Sequence, residues 1–170
     1  MNTHPSKWLK YCLDNFVKSK KTALDLACGK GRNSLYLAGC GYNVLAVDIN
    51  EESLKSFSSD KIKKIKKDVE KTNNWPFNKA GFEVVVVTNF LNRSIFPLII
   101  NSVSPYGYLI YETFSFGQER IGKPSNKNYI LQNKELISLC NNLSIIKYEE
   151  VWAHTPENQY FKQRILCKNV

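Results

Sequence analysis

Residues 24–34 read LDLACGKGRNS, and the fold turns on how they are read. The run TALDLA (22–27) is short and apolar, as a buried strand is, and Gly29 and Gly31 make the turn after it tight. NSLYLAGCG (33–41) then starts with helical spacing and stops at glycine. A strand, a glycine turn and a helix in so few residues open a βαβ unit.

The same alternation continues outward. YNVLAVD (42–48) is a second strand, and NEESLKSFSS (50–59) is a helix with Asn50 as its N-cap and Glu51 and Glu52 in the first turn. IKKIKKD (62–68) is a more polar third strand suited to a sheet edge, where lysines discourage further pairing. Loop-like VEKTNNWPFNKAG (69–81) leads to FEVVVVTNF (82–90), the most apolar strand and hence central. RSIFPLIINSV (93–103) reads as a helix strained at Pro97, and YGYLIYETF (106–114) as a fifth strand. A turn-rich stretch, 115–131, precedes a last helix in NKELISLCNN (133–142). LSIIKYEEVWA (143–153) and NQYFKQRILCKNV (158–170) then pair as a hairpin across HTPE (154–157). The order is that of an α/β, Rossmann-like, doubly wound fold with helices on both faces.

Composition sets the outer bounds. The 170 residues suit one domain spanning 1–170, and 43% hydrophobic with 23% charged residues is an ordinary globular balance. No apolar run approaches the roughly 20 residues of a membrane span and the N-terminus has no signal-peptide design, so the expected location is cytoplasmic and no membrane partner is expected. Five cysteines without CxxC spacing indicate neither a disulfide framework nor a metal site. The net charge of +9 would favour a nucleic acid, yet nearly all of it is lysine, and Arg32, Arg93, Arg120 and Arg164 are the only arginines. A solvated basic surface is therefore preferred to a polyanion site.

In a doubly wound sheet the ligand sits beyond the C-terminal strand ends at the switch point. The dinucleotide fingerprint wants a third glycine, but Gly29 and Gly31 are followed by Ser34. Asp25 also lies inside the strand end, where its charge would repel a pyrophosphate and suit a cation. S-adenosylmethionine carries an ammonium and a sulfonium and no phosphate. Asp25 would meet its amino group directly or through water, Gly29 and Gly31 would let the backbone approach, and Asp48 would accept the ribose hydroxyls. Asp68 would accept from the adenine amine, with the Val69 N–H toward a ring nitrogen.

These residues carry a resemblance. LDLACGKGRNSLYLAGCGYNVLAVDIN (24–50) resembles the first motif block of class I S-adenosylmethionine-dependent methyltransferases, in the branch of the tellurite-resistance and thiopurine enzymes, which share a CGxGRN turn. DVEKTNNWPF (68–77) is similar to that branch's third block, and 111–136 resembles a small bacterial group within it. The resemblance implies a seven-stranded sheet of order 3-2-1-4-5-7-6 with an antiparallel last strand. It also implies cofactor contacts at Ala27, Cys28, Arg32 and Asn33 in the turn, Ile49 beside Asp48, and Asn89 after the fourth strand. An N-terminal helix, within 1–20, closes over the cofactor in such relatives.

Methyl transfer is an in-line displacement in which the protein holds the acceptor and excludes water. Candidates on the acceptor side are Asn89, Asn92 and Arg93 after the fourth strand, and Tyr111, Glu112 and Thr113 at the fifth. Glu112, the one carboxylate among them, is the candidate base or acceptor-cation partner, or else the ion-pair partner of Arg93 or Arg120. Asn92 and Arg93 either orient the acceptor or form a helix cap and a loop brace. TNFLN (88–92) is not the Asn-Pro-Pro-aromatic stretch of methyltransferases acting on adenine or glutamine amines. Cys28 reads as packing, His4 and His154 as solvated, and Trp8 and Tyr11 as core-facing. The expected partner is a small-molecule acceptor, walled by the loop 115–131. RNA methylation, cofactor binding without catalysis, and a nicotinamide oxidoreductase are the alternatives.

Overall fold

The computed structural model describes residues 4–18, 21–71, 75–155 and 159–170. Seven strands form one sheet: β1 (Thr22–Leu26), β2 (Asn43–Asp48), β3 (Ile62–Lys66), β4 (Phe82–Thr88), β5 (Val103–Phe114), β6 (Ser144–His154) and β7 (Gln159–Lys168). Their order is β3-β2-β1-β4-β5-β7-β6, as the resemblance implied. β7 runs antiparallel to both neighbours, and the pairs from β3 to β5 are parallel. Part of the HTPE turn lies outside the described residues, as do 72–74 of the loop before β4.

Alternation along the strands separates two cores. Leu24, Leu26, Val85, Val87, Leu109, Tyr111, Ile165 and Cys167 face one side with α4 (Phe96–Asn101) and α5 (Glu135–Leu139). Ala23, Val84, Val86, Ile110 and Leu166 face the other with α1 (Lys7–Asn15), α2 (Arg32–Gly39) and α3 (Glu51–Lys55). Trp8, Leu9 and Cys12 of α1 are buried in this second core, and Tyr11 stacks on Trp8 at 5.6 Å with its ring partly exposed.

Three local expectations are corrected. Pro97 does not strain its helix, because α4 begins only at Phe96 and a proline in the first turn removes an N–H that had no partner. β5 starts at Val103 rather than Tyr106, running through an irregular register against Phe82 and Val84. The stretch 115–131, read as turn-rich, takes more definite form than that, with 3-10 turns at Gln118–Arg120 and Lys127–Tyr129 and with Ile130 and Leu131 buried.

Candidate functional site at the strand ends

Asp25 is completely buried near the end of β1. Its Oδ2 accepts the Ser34 hydroxyl at 2.6 Å, and its Oδ1 has no hydrogen-bond partner. Burial pushes this carboxyl up to about 7; the Ser34 hydroxyl and the Arg32 charge oppose the rise, and Asp48 reinforces it. Ser34 occupies the place where a dinucleotide fingerprint has its third glycine, so the departure from that fingerprint supplies the group that holds the acid.

Beyond Asp25 the chain turns through Ala27, Gly29 and Gly31, all with positive φ (54°, 54° and 72°). Space is open where a Gly29 side chain would stand, as a cradle for a ligand needs. At Gly31 a Cβ would meet the Phe57 ring at 2.5 Å, so its smallness also serves packing. Cys28 is buried and its thiol is pushed up by burial and by the Asp25 and Asp48 charges, which leaves it an inert packing group.

Asp48, at the end of β2, accepts the Gly29 N–H at 2.7 Å on Oδ2 and the Asn50 N–H at 2.8 Å on Oδ1. Each oxygen keeps a second lone pair, so the fixed carboxylate can still accept two hydroxyls. Ile49 beside it is 62% exposed, an apolar surface for a flat ring. Asp68 lies two residues beyond the end of β3, accepts the Glu70 N–H at 3.1 Å and pairs with Lys71 at 3.5 Å. Val69 packs its side chain into the core, with Leu91 in the same cluster. A cleft of about 300 Å³ lies alongside, between Glu70, Leu91, Asn92, Arg93, Asn128 and Tyr129.

Arg32 and Asn33 hold the chain's N-terminal segment. Arg32 donates to the His4 carbonyl at 3.0 Å, while Asn33 accepts the Ser6 N–H at 2.9 Å and donates to Thr88 Oγ1 at 3.0 Å. Ser6 caps α1 and also donates its hydroxyl to Glu112 Oε1 at 2.6 Å. Residues 4–6 are thus tied to α2, with Ser6 also joined to β5, and α1 itself is a core helix.

The acceptor-side candidates divide. Glu112 pairs with neither Arg93 nor Arg120; it is 7% exposed and takes the Ser6 hydroxyl. Arg120 lies over the Phe116 ring at 5.1 Å. Arg93 braces the loop: its guanidinium forms a two-pronged pair with Glu135 (2.6 and 2.9 Å) and donates to the Asn128 and Ile130 carbonyls. Asn92 caps the 3-10 turn Arg93–Ile95 through Ser94 N–H, so its side chain is likewise structural. The Tyr111 hydroxyl donates to the Phe90 carbonyl at 2.8 Å inside the core. Thr113 is buried with an unpartnered hydroxyl.

Asn89 follows β4 with φ 57°, its N–H on the Glu112 carbonyl at 2.9 Å. Its Oδ1 accepts from Lys162 Nζ at 2.6 Å. Lys162 was missed by the sequence reading. It stands opposite Phe114 across β5 and β7, its Nζ 5.0 Å from the Phe114 ring centre and 5.1 Å from that of Tyr160. The readable signal was the alternation in NQYFKQRILC, which puts residues 160, 162 and 164 on one face, but the register against β5 had to be known as well.

The loop 115–131 packs against β7. Gln118 accepts the Phe161 N–H, and a larger cleft of about 540 Å³ opens beside Ser115, Phe116, Gln132, Trp152, Phe161, Lys162 and Gln163. Strand alternation sends Phe161 and Gln163 away from Glu112 and Lys162. Lys162 thus borders the larger cleft and also reaches Asn89 at the end of β4.

Comparison with known proteins decides the family. Residues 13–165 match the family model described as Tellurite resistance protein TehB. The chain belongs to the TehB family. A curated member from Haemophilus influenzae, described as a probable S-adenosyl-L-methionine-dependent methyltransferase TehB, is 37% identical over 90 residues. That stretch is 49% of this chain and 31% of the relative, so the match spans about a third of the curated protein. The crystal structure of TehB from Haemophilus influenzae aligns over 95% of this chain and 61% of its own, at 24% identity and a TM-score of 0.73. A Methanosarcina mazei structure titled as a SAM-dependent methyltransferase aligns over 93% of this chain and 96% of its own, at 19% identity and a TM-score of 0.73. The TehB fold and the site agree on the cofactor. An unpartnered buried carboxylate oxygen, an open glycine turn and a fixed acid at the end of β2 fit S-adenosylmethionine, whose cationic methionine end Asp25 could satisfy and whose ribose Asp48 could accept.

Proposed function

We propose that this TehB-family chain transfers the methyl group of S-adenosylmethionine to a small-molecule acceptor. The observation that carries the reading is Asp25 Oδ1, buried and without a partner next to the glycine turn. A cationic amine satisfies such an atom, and Ser34 stands where a dinucleotide fingerprint has its third glycine, which sets the nicotinamide reading aside. Gly29 would approach the cofactor, Asp48 would hold its ribose, and Ile49, Asp68 and Val69 would bound its adenine. The cofactor supplies an activated methyl group when bound.

The rest of the chemistry falls to this chain. Ser6, Glu112, Asn89 and Lys162 would surround the acceptor where β4 and β5 end, and residues 4–6, pinned by Arg32 and Asn33, would exclude water. Arg93, through Glu135, positions the 115–131 loop and does not touch the reacting atoms. The basic balance gives RNA no specific support, since it is carried almost wholly by lysine and two of the four arginines, Arg93 and Arg164, are paired with acids. The test is a screen of metabolites and small RNAs for tritium transfer from methyl-labelled cofactor. Transfer to a small molecule is expected; transfer to RNA alone would overturn the acceptor class, and no transfer by a protein that binds S-adenosylhomocysteine would favour a non-catalytic binder.

A further inference from the structure

We propose that Lys162 is the acceptor-binding cation of this site, and that the acceptor's nucleophilic atom is ionised when it reacts. The inference rests on the methyltransfer reading and adds to it the charge state of the acceptor and the residue that selects it.

Lys162 projects from β7 to the face shared by Glu112 and Phe114, and its ammonium reaches across to the end of β4. Asn89 Oδ1 takes one of its three N–H groups, and no carboxylate among the described residues lies within ion-pair distance. The neighbouring arginine is placed differently. Arg164, on the same face, pairs with Glu149, which Lys147 also meets at 3.2 Å, and lies over the Trp8 ring. One cation on this face is thus neutralised as part of the scaffold and the other is held between two rings, close to the strand ends, with donors to spare. Rings attract a cation without consuming its hydrogen bonds, so Phe114 and Tyr160 fix the ammonium while leaving it able to donate.

Burial lowers the Lys162 pKa; Glu112 opposes that shift, and the Arg32 and Arg164 charges add to it. A bound anion would relieve this cost. Ordering the acceptor this way suits the reaction's charge balance. The ionised atom of the acceptor forms its bond to the methyl carbon as the carbon–sulfur bond breaks, and the bonding pair leaves on sulfur. An anion and a sulfonium become two uncharged centres, and no proton moves in that step because the acceptor lost its own to solvent beforehand. Low local dielectric favours a step that annihilates charge.

The probe is 4-nitrothiophenolate, with aniline as an uncharged counterpart, assayed by label transfer in wild type, Lys162→Met and Lys162→Arg. Wild type should methylate the thiolate and not aniline. Lys162→Met should lower kcat/KM for the thiolate about tenfold or more through KM, the worth of a charge-assisted hydrogen bond. Lys162→Arg should recover most of that loss, and S-adenosylhomocysteine affinity by calorimetry should be the same in all three. Transfer to aniline, no transfer to the thiolate, an unaffected Met variant, or an Arg variant as impaired as Met would each overturn the assignment. Loss of S-adenosylhomocysteine binding in wild type would instead overturn the methyltransfer reading beneath it.

Discussion

Replacing Asp25 with asparagine should change how stability depends on pH, in the absence of any ligand. Burial lifts this carboxyl from 3.8 to about 7, against the opposing Ser34 hydrogen bond. Between those values the folded protein keeps the proton that the unfolded chain has lost. Stability therefore falls as pH climbs through the window and is fully spared only below the unfolded pKa. The rise from 3.8 to about 7, at about 1.4 kcal/mol for each tenfold change in proton affinity, corresponds to roughly 4 kcal/mol lost above neutrality. Asparagine is isosteric, can still accept the Ser34 hydroxyl, and has no proton to titrate. The stability of Asp25→Asn relative to wild type should thus improve by roughly 4 kcal/mol between about pH 4 and about pH 8. Urea unfolding of both proteins across that range measures it. Glu51, Glu135 and Glu149, whose pKa values are lowered by lysine or arginine partners, titrate in both proteins and cancel in the difference. Parallel stability profiles would refute the reasoning, since they would mean that Asp25 is no more costly to ionise folded than unfolded.

Three further outcomes follow from the same geometry. Asp48→Ala should weaken S-adenosylhomocysteine binding by about 1.5–3 kcal/mol in calorimetry, the worth of charge-assisted hydrogen bonds, and unchanged affinity would remove Asp48 from the site. Gly31→Ala forces a Cβ to within 2.5 Å of the Phe57 ring at φ 72°, and should cost about 1–3 kcal/mol in denaturant unfolding. Arg93→Ala strips the 115–131 loop of its ties to Glu135, Asn128 and Ile130, so its amides should exchange faster by hydrogen exchange while S-adenosylhomocysteine affinity holds.

Where one strand carries the signal, the sequence is enough. Asp25, the glycine turn and Asp48 were readable because they lie within 25–48 in a fixed strand-turn-helix-strand order, and Asn92 was readable as a cap because capping is local. The sheet order came from the resemblance, since alternation of strands and helices does not say which strands are neighbours. Roles that depend on register were hidden. Phe57 against Gly31, Ser6 on Glu112 and Lys162 on Asn89 join residues 26, 106 and 73 positions apart, and only the packed sheet brings them together. For Arg93 the sequence left a loop brace and acceptor orientation both open for the same reason, because its partner, Glu135, is 42 residues away on α5. The 115–131 loop was seen as long, but which face it covers depends on how Leu131 pairs with Ser115.

The central claim is that the strand ends hold the methionine end of S-adenosylmethionine on Asp25, whose free oxygen a cationic amine satisfies. Calorimetric titration of wild type with S-adenosylhomocysteine and with NAD, at about pH 6 in two buffers of different protonation enthalpy, tests it most directly. An ammonium beside Asp25 Oδ1 favours the ionised carboxylate, so S-adenosylhomocysteine should bind one to one and release a proton that wild type holds and Asp25→Asn lacks, while NAD should give no binding heat. Binding of NAD, or S-adenosylhomocysteine binding with no proton released by wild type, would contradict the account.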